Sequence, residues 1–216
     1  MIDVRRGGDR ARGGEPEAGI ESRHAFSFGA HYDPTNLRFG LLLACNEERL
    51  APGAGFAEHA HRDTEIVTWV VEGELEHRDS TGHTAVVRPG HAGLLSAGRG
   101  VRHTERNTGP APVTFLQMWL HPAAFGTDPA HTVRSGTRFV PPGQPGARLL
   151  VLRESGDLPA SPYVYVHVVR GRVRLDGHGL APGDAARITG EPRVRAEAGE
   201  DAEYLVWAMS GEPSYG

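Results

Sequence analysis

Glu65-Ile66-Val67-Thr68-Trp69-Val70-Val71-Glu72-Gly73-Glu74-Leu75-Glu76-His77 reads as a strand, a glycine turn and a returning strand. Tyr163-Val164-Tyr165-Val166-His167-Val168-Val169-Arg170-Gly171-Arg172-Val173-Arg174-Leu175 has the same layout. Pro182-Gly183 follows Gly171 much as Pro89-Gly90 follows Gly73, so the chain carries a duplicated unit. Around the first copy, strands are expected over Leu41–Cys45, Glu65–Val71, Glu74–Arg78, Thr84–Arg88, Ala92–Ser96 and Val113–Trp119. Glu72-Gly73, Ser80-Thr81-Gly82, Pro89-Gly90 and Gly98-Arg99-Gly100 supply the backbone freedom or fixed φ that tight connections need. Few stretches show helical periodicity, and closing such a sheet into a barrel or jelly roll removes its edges. Phe125–Gly146, with Pro129, Pro141, Pro142 and Pro145, breaks the rhythm and is expected to be a linker. The expected fold is all-β, with two jelly-roll barrels in tandem. Residues 1–124 form the first barrel with an N-terminal arm, 125–146 the linker and 147–216 the second barrel.

The bulk composition narrows the function. With 216 residues, 38% hydrophobic and 23% charged, the chain has the make-up of a soluble globular protein large enough for two small domains. A formal charge of −4 argues against direct nucleic-acid binding, which needs a positive field to meet the phosphates. Cys45 stands alone, so a disulfide framework or a thiolate metal site is not expected, and its run Phe39–Cys45 suits a buried apolar side chain. No apolar stretch follows Arg5, Arg6, Arg10 and Arg12, and no run reaches membrane-spanning length. Neither a secretory signal nor a membrane role is expected, and the cytoplasm is the default location.

Clustering decides which of the twelve histidines matter. In a strand of period two, His59-Ala60-His61 puts two imidazoles on one face, and His103-Thr104-Glu105 does the same for an imidazole and a carboxylate. Two such pairs on inward-facing strands can bring four donors to one point. Three imidazoles and a carboxylate suit a divalent first-row ion, and octahedral coordination leaves two open positions, which favour catalysis. Glu65 has the right parity from His61 to be a rival carboxylate, and parity does not separate it from Glu105. Shifted by the spacing between the paired glycines or prolines, the four donor positions fall near Asp157, Pro159, Ala196 and Ala198. The second barrel is therefore expected to be metal-free, covering the first or binding a partner.

Ser22–Gly29, the run Ala51–Phe56 leading into His59-Ala60-His61-Arg62-Asp63-Thr64-Glu65-Ile66-Val67-Thr68, Glu72–Ser80 and Ser96–Glu105 together resemble the pirin family of bicupins. The match is specific through about Leu120 and weakens in the C-terminal lobe. The resemblance implies a metal held by His59, His61, His103 and Glu105, and it selects Glu105 over Glu65. Iron is the expected ion; copper, manganese, nickel, cobalt and zinc suit the same donors.

The activity implied is that of a quercetin 2,3-dioxygenase-like oxygenase. Its substrates would be a flavonol-like small molecule and dioxygen, with Glu105 as ligand and general base. The second reading is a non-enzymatic, redox-sensing regulator that contacts a transcription or metabolic protein. His24 and His77 are candidates to support a ligand, although packing or exposure is the simpler expectation for each. Trp69, Phe56, Phe115 and Trp119 are expected in the core, and Phe26 and Phe28 over the barrel mouth.

Overall fold

The computed structural model describes residues 1–214. In chain order the strands of the first part are β1 (Ile2–Arg5), β2 (Ala11–Glu15), β3 (Ile20–His24), β4 (Leu42–Leu50), β5 (Gly55–His61), β6 (Glu65–Glu72) and β7 (Leu75–Asp79). β8 (Thr84–Val87), β9 (His91–Ser96), β10 (Val101–Arg106), β11 (Val113–Leu120), β12 (Ala130–Ser135) and β13 (Arg138–Phe139) follow. The second part contains β14 (Ala147–Leu152), β15 (Gly156–Asp157), β16 (Tyr163–Arg170), β17 (Val173–Leu175), β18 (His178–Leu180), β19 (Ala185–Thr189), β20 (Arg195–Ala198) and β21 (Glu203–Met209). Among the described residues the helical segments are two short 3₁₀ turns, Gly7–Asp9 and Pro16–Ala18. No helix among the described residues is long and apolar enough to cross a membrane.

Each barrel is built from one large and one small sheet. The first has a seven-stranded sheet, β12-β9-β6-β11-β4-β3-β2, opposite the four-stranded β5-β10-β7-β8. The second has β1-β19-β16-β21-β14-β13 opposite β15-β20-β17-β18. The duplication is visible in these orders, since β9-β6-β11-β4 corresponds to β19-β16-β21-β14. The hairpin glycines correspond as well: Gly73 and Gly171 have φ of 78° and 69°. A Cβ on Gly73 would lie 2.8 Å from the Pro112 carbonyl oxygen, and one on Gly171 2.6 Å from the Ala202 backbone. At both turns a left-handed conformation meets a close backbone approach, so glycine is required twice over.

Strand periodicity explains why β6, β11, β16 and β21 read as nearly continuous apolar runs. Val67, Trp69, Leu116 and Met118 face Tyr165, Leu205, Trp207 and Met209 in one core shared by the two large sheets. The alternate residues of β16 and β21, such as Val164, Val166, Tyr204 and Val206, fill the interior of the second barrel. The central strands of each large sheet are thus buried on both faces, as two sheets packed face to face require. Cys45 is a free, buried thiol in this shared core. The buried Trp69 indole donates to Glu203 Oε1 at 3.1 Å, tying β6 to β21 across the interface.

Backbone pairing crosses the boundaries expected from composition. β1, in the arm, pairs with β19 of the second barrel, whereas β2 and β3 pair into the first. Within 125–146, β12 pairs with β9 and β13 with β14, one strand to each barrel. β1 and β12 were not expected because they are short and their partners lie far away in sequence, and β13 because it is only two residues long. Their position explains their existence: β1 and β13 cover both edges of the second large sheet.

Candidate metal centre

β5 and β10 are antiparallel neighbours, with His103 opposite His59 and Val101 opposite His61. Between His103 and Glu105 the register shifts, so that Glu105 stands opposite Phe56. One extra residue in β5 therefore forms a bulge at Ala57–Glu58, and Phe56 and His59 come to the same side of the strand. On its other edge β10 meets β7, with His103 opposite Asp79 and Glu105 opposite His77. Period-two alternation then sends His77, Asp79, His103 and Glu105 into the barrel, where their side chains are buried.

Three of the expected donors converge. Ring centroids are 4.3 Å apart for His59 and His103, 4.9 Å for His59 and His61, and 5.0 Å for His61 and His103. One ligand atom from each lies within 4.8 Å of the others. The His59 Nδ1 is engaged by the Ala57 carbonyl at 2.8 Å, which leaves its Nε2 for the centre. His61 Nε2 and His103 Nε2 are buried with no hydrogen-bond partner among the described residues. Burial, followed by the neighbouring imidazoles, pushes the pKa of His61 down to about 4 and that of His103 down to about 2. Both rings are neutral near pH 7, with lone pairs available to a cation. Orphaned nitrogens on neutral imidazoles are the donor chemistry that a divalent transition ion takes.

Glu105 stands in a second, overlapping group with His77 and His103, again within 4.8 Å. Trp119 Nε1 donates to Gln117 Oε1 at 3.2 Å, which turns the Gln117 amide so that its Nε2 donates to Glu105 Oε2 at 2.6 Å. Burial pushes the Glu105 carboxyl up to about 7, against hydrogen bonds from Gln117 and Thr68 that pull it down. The rival Glu65 is engaged elsewhere. Its two oxygens accept from Ser96 Oγ at 2.6 Å and Gly143 N at 2.9 Å, and it belongs to neither group.

A cavity of about 400 Å³ opens onto His59 and His61. Phe28, Phe56 and Trp119 line it, together with Ser22, His24, Glu48 and Gln117. Trp119 packs edge-on against His61 at 4.8 Å and Phe28 at 4.9 Å, and His24 stacks on Phe28 at 4.9 Å. Phe56 and Trp119 thus line the pocket while also packing, partly buried, against core residues, whereas Trp69 and Phe115 are fully buried as expected. Phe26 lies in the shared core with Arg187 over its ring, so of the two phenylalanines Phe28 alone borders the pocket.

Sequence reasoning missed Glu48. It lies on the pocket face of β4, where Ser22 Oγ donates to its Oε2. Burial pushes its carboxyl up to about 8; the Ser22 hydrogen bond opposes this and the nearby Glu105 adds to it. The one signal was that Asn46 and Glu48 share a face at period two, inside the unbroken polar run Asn46-Glu47-Glu48-Arg49. In the second barrel Gly156 and Asp157 pair with Ala196 and Arg195, reproducing the β5–β10 ladder. The interior there is packed with Leu158, Val173, Leu175, Val194 and Ala196.

Comparison with known proteins agrees with this architecture. Residues 7–120 match the family model described as Pirin, and residues 154–209 match that of the quercetinase C-terminal cupin domain. A Mycobacterium tuberculosis protein provisionally named a quercetin 2,3-dioxygenase is 39% identical, over 96% of this chain and 95% of its own. The quercetin 2,3-dioxygenase of Escherichia coli K12 is 31% identical, over 97% of this chain and 99% of its own. The crystal structure of the bacterial pirin YhhW from Escherichia coli, in complex with nickel(II), superposes with a TM-score of 0.89. It is 28% identical and covers 99% of this chain and 100% of that one.

Proposed function

The chain belongs to the pirin family, and from that premise we propose that it is a metal-dependent oxygenase that cleaves flavonol-like substrates with dioxygen. The observation that carries this reading is the convergence of His59, His61 and His103 at an aromatic-walled cavity. These imidazoles, with Glu105 as the fourth donor, would hold iron or another divalent first-row ion. Such an ion, when bound, polarises a substrate oxygen and brings substrate and dioxygen together.

The chain's own residues supply orientation and proton transfer. Phe28, Phe56 and Trp119 form the walls for a flat aromatic substrate, and their burial around it excludes water. Gln117, fixed by Trp119, holds Glu105 Oε2. Glu105 is proposed as ligand and base at the centre, and Glu48 as the carboxyl that takes a substrate proton within the pocket. A group that titrates near neutrality suits that task.

The test is oxygen uptake and loss of flavonol absorbance by protein loaded with iron, nickel or manganese. Turnover supports the reading; a metal-replete protein that leaves flavonols intact overturns it. Because burial raises Glu48 to about 8, its proton-accepting form appears only as the pH rises through that value, and turnover should rise with it. Glu48→Gln is expected to remove this limb of the pH profile and to lower turnover about 10²-fold with metal content unchanged. A variant that keeps the limb excludes Glu48 from proton transfer.

A further inference from the structure

His103 presents two nitrogens to two different environments. Its Nε2 is buried without a hydrogen-bond partner among the described residues, on the ring that meets His59 and His61. Its Nδ1 lies 3.3 Å from His77 Nδ1. On the other side of the His77 ring, Nε2 is 3.1 Å from Asp79 Oδ2. Asp79 is itself fixed: its Oδ1 accepts from Thr81 N at 2.9 Å, Thr81 Oγ1 at 2.6 Å and His83 N at 3.2 Å. The His77 ring is fixed as well, stacked on His131 of β12 with centroids 3.9 Å apart and planes within 9°. All three members of the row are buried, with His77 at 3% and His103 at 1% relative exposure and the Asp79 side chain at 1%.

Proton positions along this row follow from what each group can do. An ionised carboxylate only accepts, so His77 carries its proton on Nε2 and donates it to Asp79 Oδ2. Burial alone would raise Asp79, but hydrogen bonds from Thr81, His77 and His83 outweigh it and hold the carboxyl at about 2. Neutral His77 then has its lone pair on Nδ1. The hydrogen bond to that lone pair has to come from His103 Nδ1–H, which leaves the His103 lone pair on Nε2.

We infer that Asp79 and His77 are positioning residues that set the tautomer of His103, so that Nε2 faces His59 and His61 as an acceptor ready for a metal ion. This inference rests on the reading of His103 as a ligand. It also assigns His77, which shares a donor group with His103 and Glu105, to support of the ligand rather than to coordination.

Asp79→Asn tests it in the same shape. The amide Oδ1 still accepts from Thr81 and His83, while Nδ2 replaces the oxygen facing His77 and donates where Asp79 accepted. His77 must then accept at Nε2 and donate from Nδ1, which drives the His103 proton to Nε2. The expected result is nickel(II) and zinc(II) affinity lowered by about 10- to 100-fold in competition with a chelating dye. In metal-free protein, ¹H–¹⁵N correlation spectra should show His103 changing from the Nδ1–H to the Nε2–H form.

His77→Phe keeps a flat ring against His131 but offers no acceptor, and is expected to weaken affinity to a similar degree. Combining the two substitutions should add little to either, because they break one row. Unchanged affinity in Asp79→Asn, fully additive losses, or an Nε2–H tautomer in the unaltered protein would each overturn the inference. If the unaltered protein retains no metal by elemental analysis, the ligand reading falls and this inference with it. If it retains metal as well as both variants do, this inference falls alone.

Discussion

Replacing His61 with alanine is expected to release the metal and abolish flavonol turnover while leaving the fold in place. The His61 Nε2 has no hydrogen-bond partner among the described residues and the residue is only partly buried, so its removal breaks no scaffold bond of the described structure. What it removes is one of three convergent lone pairs. The remaining pair, His59 and His103, with Glu105 held by Gln117, is a poorer set for a divalent ion. Thermal unfolding gives a second readout. An ion that binds only the folded state stabilises it by about 4 kcal/mol when its free concentration is 1,000 times the dissociation constant. The unaltered protein should therefore gain stability when nickel(II) is added, and His61→Ala should not. Turnover at the unaltered rate in a His61→Ala preparation would sink the ligand assignment and the catalytic reading together.

Trp69→Ala is expected to destabilise the whole molecule rather than one barrel. Its indole is 1% exposed, lies in the core shared by both large sheets, and donates to Glu203 on the far side. Truncating a buried tryptophan costs about 3–5 kcal/mol through lost burial and the cavity left behind. Glu203 keeps two hydrogen bonds from Arg153, at 3.0 and 2.7 Å, so its carboxylate stays paired. Trp69→Phe retains most of the volume and loses the hydrogen bond, for a cost of about 1–2 kcal/mol. Denaturant unfolding followed by both tryptophan fluorescence and far-ultraviolet circular dichroism measures these losses. Coincident transitions shifted by the stated amounts are expected; a loss below about 1 kcal/mol in Trp69→Ala would show that the two barrels do not depend on this core.

The features legible in the sequence are those set by local geometry. Period-two alternation is a property of a single strand, so His59 with His61, and His103 with Glu105, could be placed on common faces without knowing any partner strand. The hairpin glycines Gly73 and Gly171 were legible for the same reason, because a left-handed turn constrains the residue that makes it. Together with the resemblance, these were enough for an all-β, two-barrel chain of the pirin family and for a candidate ligand set.

The remaining features depend on which strands become neighbours, and that is settled by pairing between residues far apart in the chain. Tertiary structure placed Glu65 against Ser96 and Gly143, and Glu48 in the pocket beside Ser22. It turned Trp119 to the cavity and Trp69 to the shared core, although both are tryptophans in apolar strands. It also routed β1 to the second barrel and brought His131, from a proline-rich stretch, onto His77. Alternation determines that two side chains share a face; only the folded sheet order determines what that face meets.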